Sequence, residues 1–347
     1  MAVSTRVKSL VYLGFSLLIA VTVFTHLFSH ITWGQVRDLM VGIDRPRARV
    51  FVLLSLAMHT ARTWRYLVIL NSAGQHPGFL RLFPAVLVRG LCVDLLPARS
   101  GELVYIYILR ARLGVDLGAA SASFALAILF DLMALAPLVM IALPLAGGSG
   151  ALSPGLLWAA GFALLALSAA MIGGLPAALR WAFGFCSRAR GVPSRPRRTL
   201  RRFLAGTHRQ VRRAKARGVY VPVFGLSILV RLLKYGALYA LLLAMLHPQG
   251  FAPASLPFPK VFLGLCAAEL SASLPISGIG GFGAYQGAWV LVFGLLGFPM
   301  DLARTTSVSH HLFSQLYGYS LGLLGLFALL AMPVRRARGG PGGAQAG

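Results

Sequence analysis

The chain has 347 residues, 57% of them hydrophobic and 12% charged, with a mean hydropathy of +0.76. Soluble domains carry about 25% charged residues, so half that share excludes an ordinary cytosolic enzyme, and so apolar a chain is not disordered. The 33 Lys+Arg against 8 Asp+Glu, net +25, would point to nucleic acid in a soluble protein; here they are expected on the cytoplasmic flanks of membrane spans, and no nucleic-acid partner is expected.

A helix needs about 20 apolar residues to cross a bilayer. The first such run, 10–28, is too long for the core of a signal peptide and lacks a small-residue cleavage site, so it is expected as an uncleaved first span. Further spans are expected near 48–70, 117–146, 154–176, 219–246 and 305–332. Two other apolar stretches, 79–113 and 258–299, are interrupted in the middle. The first breaks at Pro97-Ala98-Arg99-Ser100-Gly101-Glu102, and the second at Pro275 and the glycines Gly278, Gly280, Gly281 and Gly283.

Orientation follows from the basic residues. The segment 180–217 carries eleven Arg and Lys from Arg188 to Lys215, besides Arg180 and Arg217 at its ends, and no acid; the tail adds Arg335, Arg336 and Arg338. The links 147–153 and 247–257 have no Lys, Arg, Asp or Glu. Basic segments stay in the cytoplasm, which puts both termini inside and requires an even number of crossings. Six crossings satisfy this when each broken stretch enters and leaves by one face, 79–113 from the cytoplasm and 258–299 from outside. Opposed, interrupted helices of this kind point to a midplane site. The plainer alternative is a surface helix over 79–95 and a glycine-rich interhelical loop over 276–287.

An ionisable side chain at the bilayer centre costs about 2.5–3.5 kcal/mol or more, so each one invites a functional reading. Asp38, Asp44, Asp116 and Asp301 fall in links or at span ends; Asp94, Glu102, Asp131 and Glu269 fall inside apolar stretches. Glu102 follows a break and opens a helix over 103–113, where the helix dipole favours a carboxylate. Asp131 needs a cation, with Arg62, Arg65, Arg89 and Arg99 as candidates. Arg62 and Arg65 flank Trp64 at the end of the second span, as interfacial snorkelling residues or as contacts to a lipid phosphate. Arg231 and Lys234, one turn apart, form a cationic wall in the fifth span. Glu269 precedes Pro275, and Tyr285 and Gln286 follow the glycines, whose bare backbone admits a ligand. His310, His311 and Gln315 read most simply as interhelical hydrogen-bonding groups. A surface helix is expected over 197–216, lying on the anionic inner leaflet around Leu200, Phe203, Leu204 and Val211. Cys92, Cys186 and Cys266 lack metal or disulfide spacing, and no nucleotide or hydrolase motif is present, so neither metal nor cofactor is expected.

The run from Leu95 through Pro97, Arg99, Gly101 and Glu102 to Leu103, followed by Leu109-Arg110 and a span with a central acid, resembles the lysylphosphatidylglycerol synthase transmembrane family of flippase-like domains. Pro275 with Gly280-Gly281-Phe282-Gly283-Ala284-Tyr285-Gln286 looks like that family's second signature, and Trp64-Arg65 also fits; the resemblance covers about 5–332. Where this chain has Gln286 the family pattern usually has Glu, so a carboxylate role there is lost or moved, with Glu269 as the candidate to take it. No aminoacyl-transferase domain follows residue 332, so lysyl transfer is not expected. The resemblance implies lipid translocation or an accessory role in handling lipid-linked molecules.

The resulting expectation is an all-α integral membrane protein of about six transmembrane helices plus two oppositely oriented re-entrant hairpins. It comprises one domain over 1–332 and a disordered tail over 333–347, in a bacterial inner membrane with both termini cytoplasmic. Its expected work is moving an anionic or lipid-linked headgroup between leaflets, with Arg65, Arg99, Glu102, Asp131, Arg231, Lys234, Glu269, Gly281, Gly283, Tyr285 and Gln286 around the headgroup. Pro97, Gly101, Pro275 and Gly280 make the breaks. Two alternatives stand beside it: an intramembrane lipid-modifying enzyme using Glu102 and Asp131 as acid and base, or a non-catalytic partner of lipid-synthesis enzymes docking through 180–217.

Overall fold

The computed structural model describes residues 32–95, 101–146, 154–188, 194–272 and 282–333. The expected first span 10–28, the link 147–153 and the tail from 334 lie outside the described residues. Eleven α-helices and two 3-10 turns make up the secondary structure among the described residues. In chain order the helices are α1 Trp33–Val41, α2 Arg45–Ser72, α3 Phe79–Leu95, α4 Gly101–Leu113, α5 Leu117–Leu145, α6 Pro154–Arg188, α7 Ser194–Ala216, α8 Tyr220–Leu246, α9 Phe258–Ala272, α10 Ala284–Leu295 and α11 Met300–Ala331.

Local chemistry sets several of the starts. Thr32 and Gln35 form a capping box on α1, Asp44 accepts from the Arg47 amide at 3.0 Å, and Asp116 accepts from the Ala119 amide at 3.1 Å. Each satisfies a donor that the helix itself leaves unpaired. Helices α5, α8 (with its 3-10 extension to Gln249) and α11 are long and apolar enough to cross a membrane. Helix α2 is as long, 28 residues, but Arg62 and Arg65 interrupt its apolar character. Helix α6 runs 35 residues, well past the expected end at 176. On α11 the exposed residues include Leu316, Leu323, Leu324 and Phe327, a face suited to hydrocarbon.

Helices α2 and α8 lie antiparallel. The Asp44 amide donates to the Ala244 carbonyl at one end (2.8 Å), and the Arg217 guanidinium donates to the Ser72 carbonyl at the other (3.0 Å). Helix α5 packs against both, with Asp131 bonded to Arg65 of α2 and Arg231 of α8.

Two antiparallel helical hairpins complete the molecule. In the first, α3 and α4 share a buried cluster that includes Leu82, Ala85, Val88, Tyr105 and Leu109. Gly101 presses against the Cys92–Val93 backbone, where no side chain fits. Its open end lies beside the Ser72 end of α2, since the Asp116 amide bonds Gln75 there (3.1 Å). In the second, the Ser271 hydroxyl donates to the Ala284 carbonyl near the tip (2.9 Å), and Lys260 reaches the Leu296 carbonyl at the base (3.4 Å). Its open end lies beside Leu246 and Leu256, the opposite end of the molecule. Among the described residues the four hairpin helices run 17, 13, 15 and 12 residues, each below the ~20 of a full crossing.

Two details differ from expectation, and one alternative is excluded. The helix expected from 103 starts at Gly101, which places Glu102 inside its first turn. Helix α3 is not a surface helix: Leu82, Ala85 and Val86 are wholly buried, and Gly322 and Gly325 of α11 close on Leu91 and Leu87. Helix α7 is not merely laid on a surface either. Leu204, Thr207, Val211 and Ala214 are buried, and Gly206 meets Gly118 of α5 backbone to backbone, because neither carries a Cβ to hold the helices apart.

Candidate functional site

Five cations and four acids interrupt α2, α3, α4, α5, α8 and α9, and packing gathers most of them. Arg65 is completely buried. Its Nη1 donates to Asp131 Oδ1 (2.5 Å) and its Nη2 to Oδ2 (3.2 Å), while Nη1 also donates to Ser227 Oγ (2.9 Å). This two-pronged geometry is the strong form of an ion pair. Arg231 Nε donates to the backbone carbonyl of Asp131 (3.2 Å) and lies 3.8 Å from its carboxylate. Arg231 also reaches Glu269 at 4.0 Å, and Lys234 Nζ meets Glu269 Oε1 at 2.6 Å. A chain of alternating charge thus runs Arg65–Asp131–Arg231–Glu269–Lys234 across α2, α5, α8 and α9.

A second pair sits at the tip of the first hairpin. Arg89 of α3 holds Glu102 of α4 through Nε–Oε2 at 2.7 Å and Nη2–Oε1 at 2.6 Å. The ring of Tyr66 joins the two systems, with Arg65 at 5.6 Å and Arg89 at 5.9 Å from its centroid, each a cation–π distance. Arg62, one turn before Tyr66, makes no ion pair among the described residues, and its Nε is enclosed without a hydrogen-bond partner there. Asp94 likewise makes no ion pair among the described residues; Lys234, Arg62 and Arg89 are the cations within its electrostatic reach.

Exposure distinguishes the ends of this system. The side chain of Arg65 is at 0% and that of Glu102 at 6%, whereas Asp131, Arg231 and Glu269 are each at 19% and Lys234 at 29%. The Arg65 end is enclosed in protein, and the Lys234 end is the most exposed part of the chain of charges. With all groups ionised, Arg62, Arg65, Arg89, Arg231 and Lys234 exceed Asp94, Glu102, Asp131 and Glu269 by one positive charge.

The expected site residues therefore sort into groups. Glu102, Asp131, Arg65, Arg231, Lys234 and Glu269 come together. Arg65 is not a snorkelling residue; only its neighbour Trp64 is exposed, at 56%. Gly283, Tyr285 and Gln286 belong to a different, uncharged cluster. Gln286 Oε1 accepts from the Gly283 amide (2.8 Å), and its Nε2 meets His311 Nδ1 (2.9 Å). His311 stacks on Tyr285 with centroids 4.0 Å apart and meets Gln315 at 3.0 Å. A glutamate in place of Gln286 would accept from Gly283 equally well but could not donate to His311. Gly101 packs the first hairpin. Pro97, Arg99, Pro275, Gly280 and Gly281 lie outside the described residues.

Sequence reasoning undervalued Arg89, named only as a candidate partner for Asp131, took Tyr66 for an interfacial anchor although it is fully buried, and passed over Ser227. The signal for Arg89 was available, since it interrupts the apolar run of α3 as plainly as Asp131 interrupts α5.

A family model described as the lysylphosphatidylglycerol synthase TM region matches residues 11–325, most of the chain. No curated protein matches it.

Proposed function

Because the chain belongs to the lysylphosphatidylglycerol synthase TM-region family, membrane proteins tied by that description to a lipid, we propose that it is a lipid translocase moving an anionic headgroup between leaflets of an inner membrane. In this reading the two hairpins are re-entrant, the first from the cytoplasm and the second from outside, and their tips meet the ion chain at mid-depth. One observation supports it above the rest: among the described residues, a charge cluster with one cation in excess, enclosed at Arg65 and most exposed at Lys234. A lone charge at the bilayer centre is costly. A headgroup carrying one phosphate charge brings the cluster to neutrality, so its passage never places an uncompensated anion in hydrocarbon. Lys234 and Arg231 receive the phosphate from the exposed end, while Asp131 and Glu269 hold these cations between passages. The acyl chains remain in the bilayer throughout.

The test is leaflet exchange of fluorescent lipids in proteoliposomes, read with a membrane-impermeant quencher and several headgroups. Glu102→Gln removes the charge that holds Arg89 while keeping the shape of the side chain. A charge-assisted hydrogen bond contributes about 1.5–3 kcal/mol, so exchange of an anionic lipid should slow by roughly ten- to a hundredfold. Unchanged exchange in folded Glu102→Gln would remove the Arg89–Glu102 pair from the mechanism. Absence of exchange with every headgroup in the wild type would turn the reading towards lipid modification.

A further inference from the structure

A second basic feature lies away from the ion cluster, where α6 meets α7. A cavity of about 640 Å³ opens there, with Arg180 of α6 on one wall and Arg209, Arg212 and Arg213 of α7 on the other, above an apolar floor of Leu179 and Leu204. The helical repeat explains the geometry. Buried Val211 and Ala214 pack with Ala122 and Leu126 of α5, and the Gly206–Gly118 contact fixes the position of α7. Residues at i and i+4 stack one above another on a helix, so Ala205, Arg209 and Arg213 form the neighbouring ridge, turned towards α6. His208 joins this wall, its imidazole held below the ordinary histidine range first by partial burial and then by Arg180 and Arg212.

No Asp or Glu occurs between Asp131 and Glu269, and none of the four arginines makes an ion pair among the described residues. Four like charges around one cavity repel, and an anion in their midst relieves that repulsion. The depth is given by Trp181, the residue after Arg180, which is 73% exposed and of the type that settles at the headgroup level of a bilayer. Basic pockets between helices at that level take phosphate headgroups.

We propose that this cavity is a second, separate lipid site, which binds the phosphate headgroup of an anionic phospholipid in the adjacent leaflet. The arginines fork onto the phosphate oxygens, and Leu179 and Leu204 meet the glycerol and upper acyl carbons. The lipid ties α7 to α6 and is retained, whereas the ion cluster at mid-depth shares none of these residues.

The experiment is native mass spectrometry of the purified full chain in detergent, titrated with phosphatidylglycerol or phosphatidylcholine of matched chains. Each juxtamembrane arginine contributes about a fivefold gain in affinity, so Arg209→Gln/Arg212→Gln should weaken phosphatidylglycerol binding by roughly thirtyfold. Arg110→Gln/Arg112→Gln, which removes the same charge from α4, should change it less than about twofold. Should the α7 double variant melt far below the wild type without lipid, Arg180→Gln reports from the opposite wall with a loss of about fivefold. Equal binding of the two lipids by the wild type overturns the site, as does equal loss in the α4 variant, which would mean diffuse charge attraction. Displacement of phosphatidylglycerol by inorganic phosphate at equal concentration would assign the cavity to a soluble anion and overturn the lipid assignment.

Discussion

Arg65 carries no exposed surface yet bears a full charge, and its position depends on three partners from three helices: Asp131, Ser227 and the ring of Tyr66. Removing one member of such a buried pair strands the other, at a cost of about 3–5 kcal/mol, whereas replacing both with apolar residues often costs little. Arg65→Met should therefore destabilise the protein more than Arg65→Met/Asp131→Leu, with thermal melting in detergent as the readout. An equal loss in the single and the double variant would show that the pair is not energetically coupled. Asp44, outside the spans, supplies a pH dependence. The Arg47 amide, and after it the Arg47 side chain, hold the Asp44 carboxyl below the usual carboxylate range, outweighing the opposing effect of burial. A depressed carboxyl stabilises the fold above the unfolded aspartate value of about 3.9 and loses that contribution as pH falls through the lower folded value. The stability advantage of wild type over Asp44→Asn at neutral pH should shrink on acidification below about 4, by the same melting assay. The acids of the ion cluster were conspicuous in the sequence because each interrupts an apolar run. Their partners were not, since Arg65 and Asp131 lie 66 residues apart and meet only after α2 and α5 pack.

At the scale of elements, the hairpins depend on small residues at close approaches. A Cβ on Gly101 would strike the backbone of Cys92 and Val93, which cannot rotate away as a side chain can. Gly101→Ala should thus part α3 from α4 and lower stability by about 1–3 kcal/mol, the usual cost of overpacking. Gly225→Ala on α8, where a Cβ meets nothing within 4 Å, should instead gain up to about 1 kcal/mol from helix propensity. Melting of the two variants side by side decides the matter, and equal behaviour would mean that the Gly101 contact is dispensable. The breaks themselves were legible as proline and glycine clusters. The burial of α7 was not, because a chain rich in arginine reads as a surface helix until Val211 and Ala214 are set against α5. The uncharged group around His311 was equally hidden, since Gln286 and His311 come from different helices.

For the whole molecule, the hairpins open at opposite ends, the first beside the basic end of α7 and the second beside the uncharged link between α8 and α9. With basic segments retained in the cytoplasm, Ala252→Cys should react with a membrane-impermeant maleimide on intact cells. Lys215→Cys should react only after permeabilisation, both in a background with Cys92, Cys186 and Cys266 replaced. The reverse pattern would invert the molecule in the membrane, and with it the leaflet facing the Arg180–Arg213 cavity.

What the sequence determined by itself was the environment and the inventory. An apolar, acid-poor composition dictates helices in a bilayer, because backbone polar groups there must be satisfied within the segment, and the rare intramembrane charges announce themselves by their cost. Only the tertiary structure decided which charges pair, that Arg89 holds Glu102, and that Gln286 serves a histidine cluster instead of the ion chain. The reason is physical: hydropathy and periodicity act over a few turns of one helix, while an ion pair between helices depends on their register and rotation, set jointly by glycine contacts and side-chain packing along their whole length.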